Sequence, residues 1–337
     1  MPIALIFVSV FLQASAEGFL SGRLDVTASL RFSVLAFLTT TVVFTAVTWL
    51  RRRSRTQPQA TAAQRGQVRR LLWQMNAASV VTFLGLYLAI AWVPAALAAS
   101  LVAGVGPLAV VVMDTVSGKH ASGRSGWARA VLLLGVSLAT AACIQPGPLR
   151  SAGPLVYVGG ALAVLAGFGA ASLAVVSRRL GDLGVDPSRV MANRFHLTYA
   201  LAGAVLVLRG GGGSSELSLG VTALAALVGV VVPLYVLQIS IQRCPPIVTM
   251  VLLTALPGLT YVAQVAFGDA FRLPAALMVV LLVALTVGFA LLEGRPRRGA
   301  RPEPGSRPDP GIPSGPTAGA EHTVRAEARP HAEVRSP

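Results

Sequence analysis

Apolar residues recur along this chain in stretches of about 20, the length that crosses a bilayer as a helix. Polar and arginine-bearing connections separate them. Ten such spans are legible: Pro2–Leu20, Phe32–Leu50, Leu71–Ala91, Ala95–Val116, Trp127–Ile144, Pro154–Val176, Val190–Leu208, Leu219–Ile241, Pro246–Phe267 and Leu273–Leu292. Ala, Gly and Ser are frequent inside them, which favours closely packed membrane helices over isolated anchors. The pattern predicts an all-α polytopic membrane protein. In the first span Ala14-Ser15-Ala16 resembles a signal-peptidase site, but no Lys or Arg precedes it. We therefore read the segment as a span.

Composition agrees. The 337 residues are 54% hydrophobic and only 12% charged, whereas a soluble domain carries about 25% charged residues. The net charge of +15 raises nucleic acid as a partner. The basic residues lie between apolar stretches and in the tail, without forming one face, so nucleic acid is not expected. Arginines between spans set orientation instead. Arg51, Arg52, Arg53, Arg55, Arg65, Arg69 and Arg70 follow the second span. Lys119 and Arg124 follow the fourth, and Arg178, Arg179 and Arg189 follow the sixth. The alternate connections hold only Arg23, Arg31, Arg150, Arg209 and Arg272. Both termini are accordingly expected in the cytoplasm, with the spans in the inner membrane. From Gly294 the sequence turns to Pro, Gly, Arg and Glu, and 294–337 is expected to be a disordered tail.

The spans fall into two matching sets. Leu30-Arg31-Phe32 opens the second and Asn193-Arg194-Phe195 the seventh. Leu86-Tyr87 in the third answers Leu234-Tyr235 in the eighth. Gly106-Pro107-Leu108 in the fourth answers Pro257-Gly258-Leu259 in the ninth, and both prolines are expected to kink their helices. Five spans per half force opposite orientations, so residues 1–146 and 147–293 are expected to be two inverted five-helix repeats with a site between them.

This order of motifs resembles the EamA-like branch of the drug/metabolite transporter superfamily, over about Ile3 to Leu292. The resemblance rests on the arginine opening the second and seventh spans, on Leu86-Tyr87-Leu88-Ala89-Ile90 running through Pro94-Ala95-Ala96, on Pro107 and Pro257, and on Val176-Ser177-Arg178-Arg179. The first span carries Gln13-Ala14-Ser15 where that family commonly has Trp-Gly. The resemblance implies secondary active transport, chiefly export of amino acids, metabolites or drugs. The expected partners are a small-molecule substrate, a coupling ion (a proton) and the lipid bilayer, without a cofactor.

Glu17 is the sharpest candidate for chemistry, because a charge at membrane depth costs about 2.5–3.5 kcal/mol on insertion scales. Gln13 lies four residues before it and shares its helix face. Two readings stand: a carboxyl facing an inner cavity, or an interfacial residue paired with Arg23. Arg31 and Arg194 either anchor helix ends or contact an anionic substrate. His196 carries an imidazole, a side chain suited to proton coupling, or it is a structural hydrogen-bonding group. Asp114 is expected to pair with Lys119. Asn76, Tyr87, Tyr199, Tyr235, Gln238 and Gln264 either line a cavity or join helices.

Enzyme chemistry has no constellation here. Walker, His-Glu-x-x-His and Gly-x-Ser-x-Gly patterns are absent. Cys143 and Cys244 have no metal-site spacing. The run Gly210 to Gly213 reads as a linker. An intramembrane enzyme on lipid-borne substrates and a non-transporting scaffold or sensor are the alternatives to a transporter.

Overall fold

The structure, a computed structural model, describes residues 2–52, 62–118, 124–144, 153–210 and 218–293. All regular structure among them is helical. We number the helices α1 (Pro2–Leu20), α2 (Val26–Arg52), α3 (Ala62–Ile90), α4 (Ala95–Val116), α5 (Arg124–Ile144), α6 (Pro154–Asp182), α7 (Pro187–Leu208), α8 (Leu219–Ile241), α9 (Pro246–Ala266) and α10 (Leu273–Glu293). Among the described residues, α1 to α9 are each long and apolar enough to cross a membrane. The chain is thus a multi-pass, all-helical membrane protein in character. The tail 294–337, Arg53, Arg55, Lys119 and Arg150 lie outside the described residues, as do Gly211 to Gly213.

The bundle is apolar outside and holds its polar side chains inside. In α1, Val8 and Phe11 are exposed while Ser9, Gln13 and Glu17 are buried. Lipid solvates the first set at no cost, and burial lets the second set find partners.

Helix ends differ from the hydropathy pattern wherever a polar turn extends an apolar one. α2 begins at Val26, six residues before the expected Phe32, because Asp25 caps it by accepting from Ala28 N at 2.6 Å. α3 begins at Ala62, a polar start carrying Arg65, Arg69 and Arg70. α6 continues to Asp182, where Arg178 Nε meets Asp182 Oδ1 at 3.1 Å. α7 begins at Pro187 behind the cap Asp186, whose Oδ1 accepts from Ser188 N at 2.8 Å. Gly22 after α1 (φ 71°) and Gly184 after α6 (φ 70°) both adopt left-handed backbone, which only glycine enters freely.

Four helices are irregular. α3 contains a π-turn at Val80–Leu84 and α8 one at Leu227–Val231. α7 breaks between Asn193 and His196. α9 breaks between Leu253 and Leu256, where Thr254 N and Ala255 N turn back to Val251 O and Leu252 O. Pro257 starts its second piece and offers no N–H to Leu253 O. Pro107 sits differently, inside the unbroken α4. The two prolines therefore interrupt their helices unequally.

Packing is pairwise and regular. α1 lies on α8 and α9, and α6 on α3 and α4. α2 packs on α7, α5 on α10, and α4 on α9. α4 also packs on α5, and α9 on α10. Glycines allow two close approaches. A methyl on Gly18 of α1 would stand 2.5 Å from Ala263 Cβ of α9, and one on Gly167 of α6 would stand 2.8 Å from Val105 Cβ of α4.

Candidate functional site in the bundle core

The irregular segments of α3, α7 and α9 converge on one cavity of about 70 Å³. Its lining includes Thr82 and Phe83 from the π-turn of α3, Gly106 beside Pro107, Leu253 and Leu256 at the break of α9, and Arg194 at the break of α7. Gln13 of α1 completes the polar lining. Irregular backbone at membrane depth is tolerated where protein covers it or a cavity borders it. The volume corresponds to about two waters at ~30 Å³ each, far below the ~300 Å³ of a typical ligand pocket.

Arg194 is 3% exposed. Its Nη1 donates to Gln238 Oε1 at 2.9 Å, and its guanidinium stacks on Phe195 at 4.7 Å and Phe83 at 5.5 Å. Gln238 Oε1 also accepts from Ser177 Oγ at 3.3 Å. An amide and two aromatic faces thus stabilise this cation. Arg194 Nε, Gln238 Nε2 and Gln13 Oε1 are buried without a protein partner among the described residues. Two donors and one acceptor remain there for water or a polar ligand.

The break that places Arg194 is held by Asn76. Its Nδ2 donates to Asn193 O and its Oδ1 accepts from Leu197 N at 3.2 Å. One amide side chain thus satisfies backbone groups from both sides of the interruption. Behind Arg194, Phe37 stacks on Phe195 at 4.7 Å and meets Phe83 at 5.3 Å. Tyr87 is buried against Phe32 at 5.0 Å.

Glu17 is 2% exposed. It accepts from Gln13 Nε2 at 3.2 Å and from Thr260 Oγ1 of α9 at 3.3 Å. Arg23 turns elsewhere, donating to Phe19 O at 3.1 Å and stacking on the Phe19 ring at 4.3 Å. Glu17 is therefore an interior residue, one turn beyond the cavity wall formed by Gln13. Further along, Gln264 Nε2 donates to Ser21 Oγ at 2.6 Å, a second polar link between α9 and the α1 end.

Other residues singled out from the sequence lie away from this cavity. Arg31 sits six residues inside α2 and is partly buried, rather than at a helix end. Tyr235 contacts Ser188 Oγ at 3.3 Å and packs on Phe44 at 4.6 Å. His196 is exposed, with Nδ1 3.1 Å from Tyr199 OH. Asp114 borders a separate groove between α3, α4 and α6, and its expected partner Lys119 is outside the described residues. Cys143 and Cys244 are free thiols.

No motif or spacing in the sequence marks Thr82, Phe83, Ser177 and Thr260 as site residues. Ser177 falls at the expected end of its span, and only the extension of α6 to Asp182 brings it inside the bundle.

No family model matches the chain, and no curated protein matches it. The chain is similar to a solved structure described only as "Crystal structure of protein", with a TM-score of 0.61 and 19% identity over 86% of this chain and 96% of that one. The likeness extends to the fold alone.

Proposed function

We propose that this protein is a secondary active transporter exporting small molecules across the inner membrane, built from ten spans in two inverted repeats with both ends in the cytoplasm. The resemblance to the EamA-like branch of the drug/metabolite transporter superfamily is part of that reading. The observation that carries it is the exchange of packing between the halves. Adding five to each helix number turns α1 on α8 and α9 into α6 on α3 and α4. It turns α4 on α5 into α9 on α10, and maps α2 on α7, α4 on α9 and α5 on α10 onto themselves. The π-turns of α3 and α8, the caps Asp25 and Asp186, and the glycine approaches of α1 to α9 and α6 to α4 exchange in the same way. Two such halves around a small, mainly apolar cavity that carries Arg194 and Gln13 are what alternating access requires.

The cavity suits a small anionic or zwitterionic molecule with an apolar body. Arg194 would hold the anionic group, Gln13 would accept a hydrogen bond, and Leu234, Leu237 and Met250 would cover the rest. Glu17, one turn from Gln13 on the cavity wall, would take up and release the coupling proton.

The test is reconstitution in proteoliposomes enclosing a pH-sensitive dye, challenged with a panel of small organic anions and amino acids under an imposed pH gradient. At least one compound should drive proton movement and exchange against its labelled form. Folded protein that exchanges none of the panel and moves no protons would overturn the reading.

A further inference from the structure

A second cavity, of about 410 Å³, opens at one end of the bundle between α3 and α7. Its lining runs along α3 through Arg65, Arg69 and Trp73 to Asn76, and along α7 from Arg189 to Leu197. Arg65, Arg69 and Trp73 are four residues apart and share a helix face. They span about 12 Å at 1.5 Å per residue. Asn76 bonds the α7 backbone at Asn193 and Leu197, which fixes the register between the two helices. Three guanidiniums thus gather at one end of the cavity. None has a carboxylate partner among the described residues. The neighbouring acids are engaged elsewhere: Asp186 lies 3.7 Å from Arg51, and Asp182 pairs with Arg178.

Beyond the arginines the groove carries Trp73 and Leu197 beside Asn76, Asn193 and His196, and it stays open. Trp73 is 58% exposed and Leu197 is 37% exposed. A soluble phosphate would use the cationic end and leave this strip unused. A phospholipid uses both, with the phosphate on the arginines, the indole at headgroup level and an acyl chain along Leu197.

We propose that the groove between α3 and α7 binds the headgroup of an anionic phospholipid, with Arg65, Arg69 and Arg189 as its phosphate ligands and Trp73 and Leu197 seating the first part of a chain. The site is distinct from the central cavity and independent of what the protein transports. Because it borders Asn76 and the break that positions Arg194, a lipid there braces α7 behind the core site.

Native mass spectrometry of the purified full-length protein in detergent, titrated with phosphatidylglycerol or phosphatidylcholine, tests this. Wild type should retain phosphatidylglycerol in preference to phosphatidylcholine. Each arginine removed should weaken phosphatidylglycerol about fivefold, so R65Q/R69Q/R189Q loses about 100-fold. R65K/R69K/R189K keeps the charge and should retain most of the binding, and R189Q alone leaves the basic start of α3 intact if the triple variant does not fold. R70Q removes an exposed arginine outside the groove and should bind as wild type. Unchanged lipid retention in R189Q and the triple glutamine variant would overturn the proposal. So would an equal loss in R70Q, or displacement of the lipid by equimolar inorganic phosphate.

Discussion

Arg194 and Gln238 join α7 to α8 through a buried bond of 2.9 Å from guanidinium to amide oxygen. The cation is nearly sealed from solvent, and it also touches the faces of Phe83 and Phe195 and Met191 Sδ at 3.8 Å. Gln238→Leu removes the acceptor and leaves the charge. Loss of a hydrogen bond to a charged group costs about 1.5–3 kcal/mol, so the melting temperature in detergent should fall clearly. Arg194→Met/Gln238→Leu removes both members and should recover part of the loss. A double variant as unstable as the sum of the two singles would show that the pair does not act as a unit.

The break in α7 gives a second measurable case. Asn76→Ala strips the partners from Asn193 O and Leu197 N together. Orphaning buried backbone groups costs about 1–3 kcal/mol each, less whatever water recovers. Amide hydrogen exchange at Leu197 should accelerate far more than at Leu237, in the undisturbed part of α8. Equal protection in the variant and the wild type would mean that the interruption is held by other contacts.

Gly18 and Gly167 predict paired steric effects. A side chain at either position meets the facing helix at less than 3 Å, against Ala263 and Val105 respectively. Overpacking of this kind costs about 1–3 kcal/mol or more. Gly18→Val and Gly167→Val should each lower thermal stability by comparable amounts, whereas Gly135→Val, which faces open space, should not. A large effect at one glycine and none at the other would argue against equivalent roles in two related halves.

What the sequence conveyed follows from physics that is local to a span. Twenty apolar residues need no partner to be recognised, so the centres of all ten helices were readable. The shared face of Gln13 and Glu17 followed from helical spacing alone, and the structure buries that face. Hydropathy ends a helix too early where polar turns continue it, as with Val26–Leu30 and Arg178–Asp182. The break at Arg194 looks like a helix start in the sequence because its backbone groups are satisfied by Asn76, more than 100 residues earlier in the chain. Thr260 and Phe83 carry no sequence signal, because each matters through a helix distant in sequence, which no periodicity encodes.

Orientation is tested with cysteines. With Cys143 and Cys244 replaced by alanine, Arg209→Cys at the end of α7 should react with an impermeant thiol reagent added outside intact cells, and Gln67→Cys near the start of α3 should not. Both positions are exposed, so protection reports sidedness rather than burial. The reverse pattern would invert the arginine-based topology and leave the termini outside.

Glu17 carries the strongest functional prediction. Its carboxylate is bonded by Gln13 on its own helix and by Thr260 on α9, so it sits where the first and second halves meet. Neither partner is charged, so proton uptake or release at this carboxyl would change the local charge by a full unit. Gln13 links it to the wall of the central cavity. On the transporter reading proposed above, movement of α9 relative to α1 would break the Thr260 contact, re-expose the carboxyl and so couple its protonation to a conformational cycle. Glu17→Gln keeps the size and can still hydrogen-bond with both neighbours. Expression and melting temperature should therefore change little, while transport driven by a pH gradient should stop and substrate exchange without a gradient should persist. Thr260→Val should leave gradient-driven transport measurable but shift its pH profile, because only one of the two hydrogen bonds to the carboxylate is lost. Wild-type gradient-driven transport in Glu17→Gln would reduce Glu17 to a structural link between α1 and α9. Loss of exchange along with the driven mode would instead assign it to substrate binding.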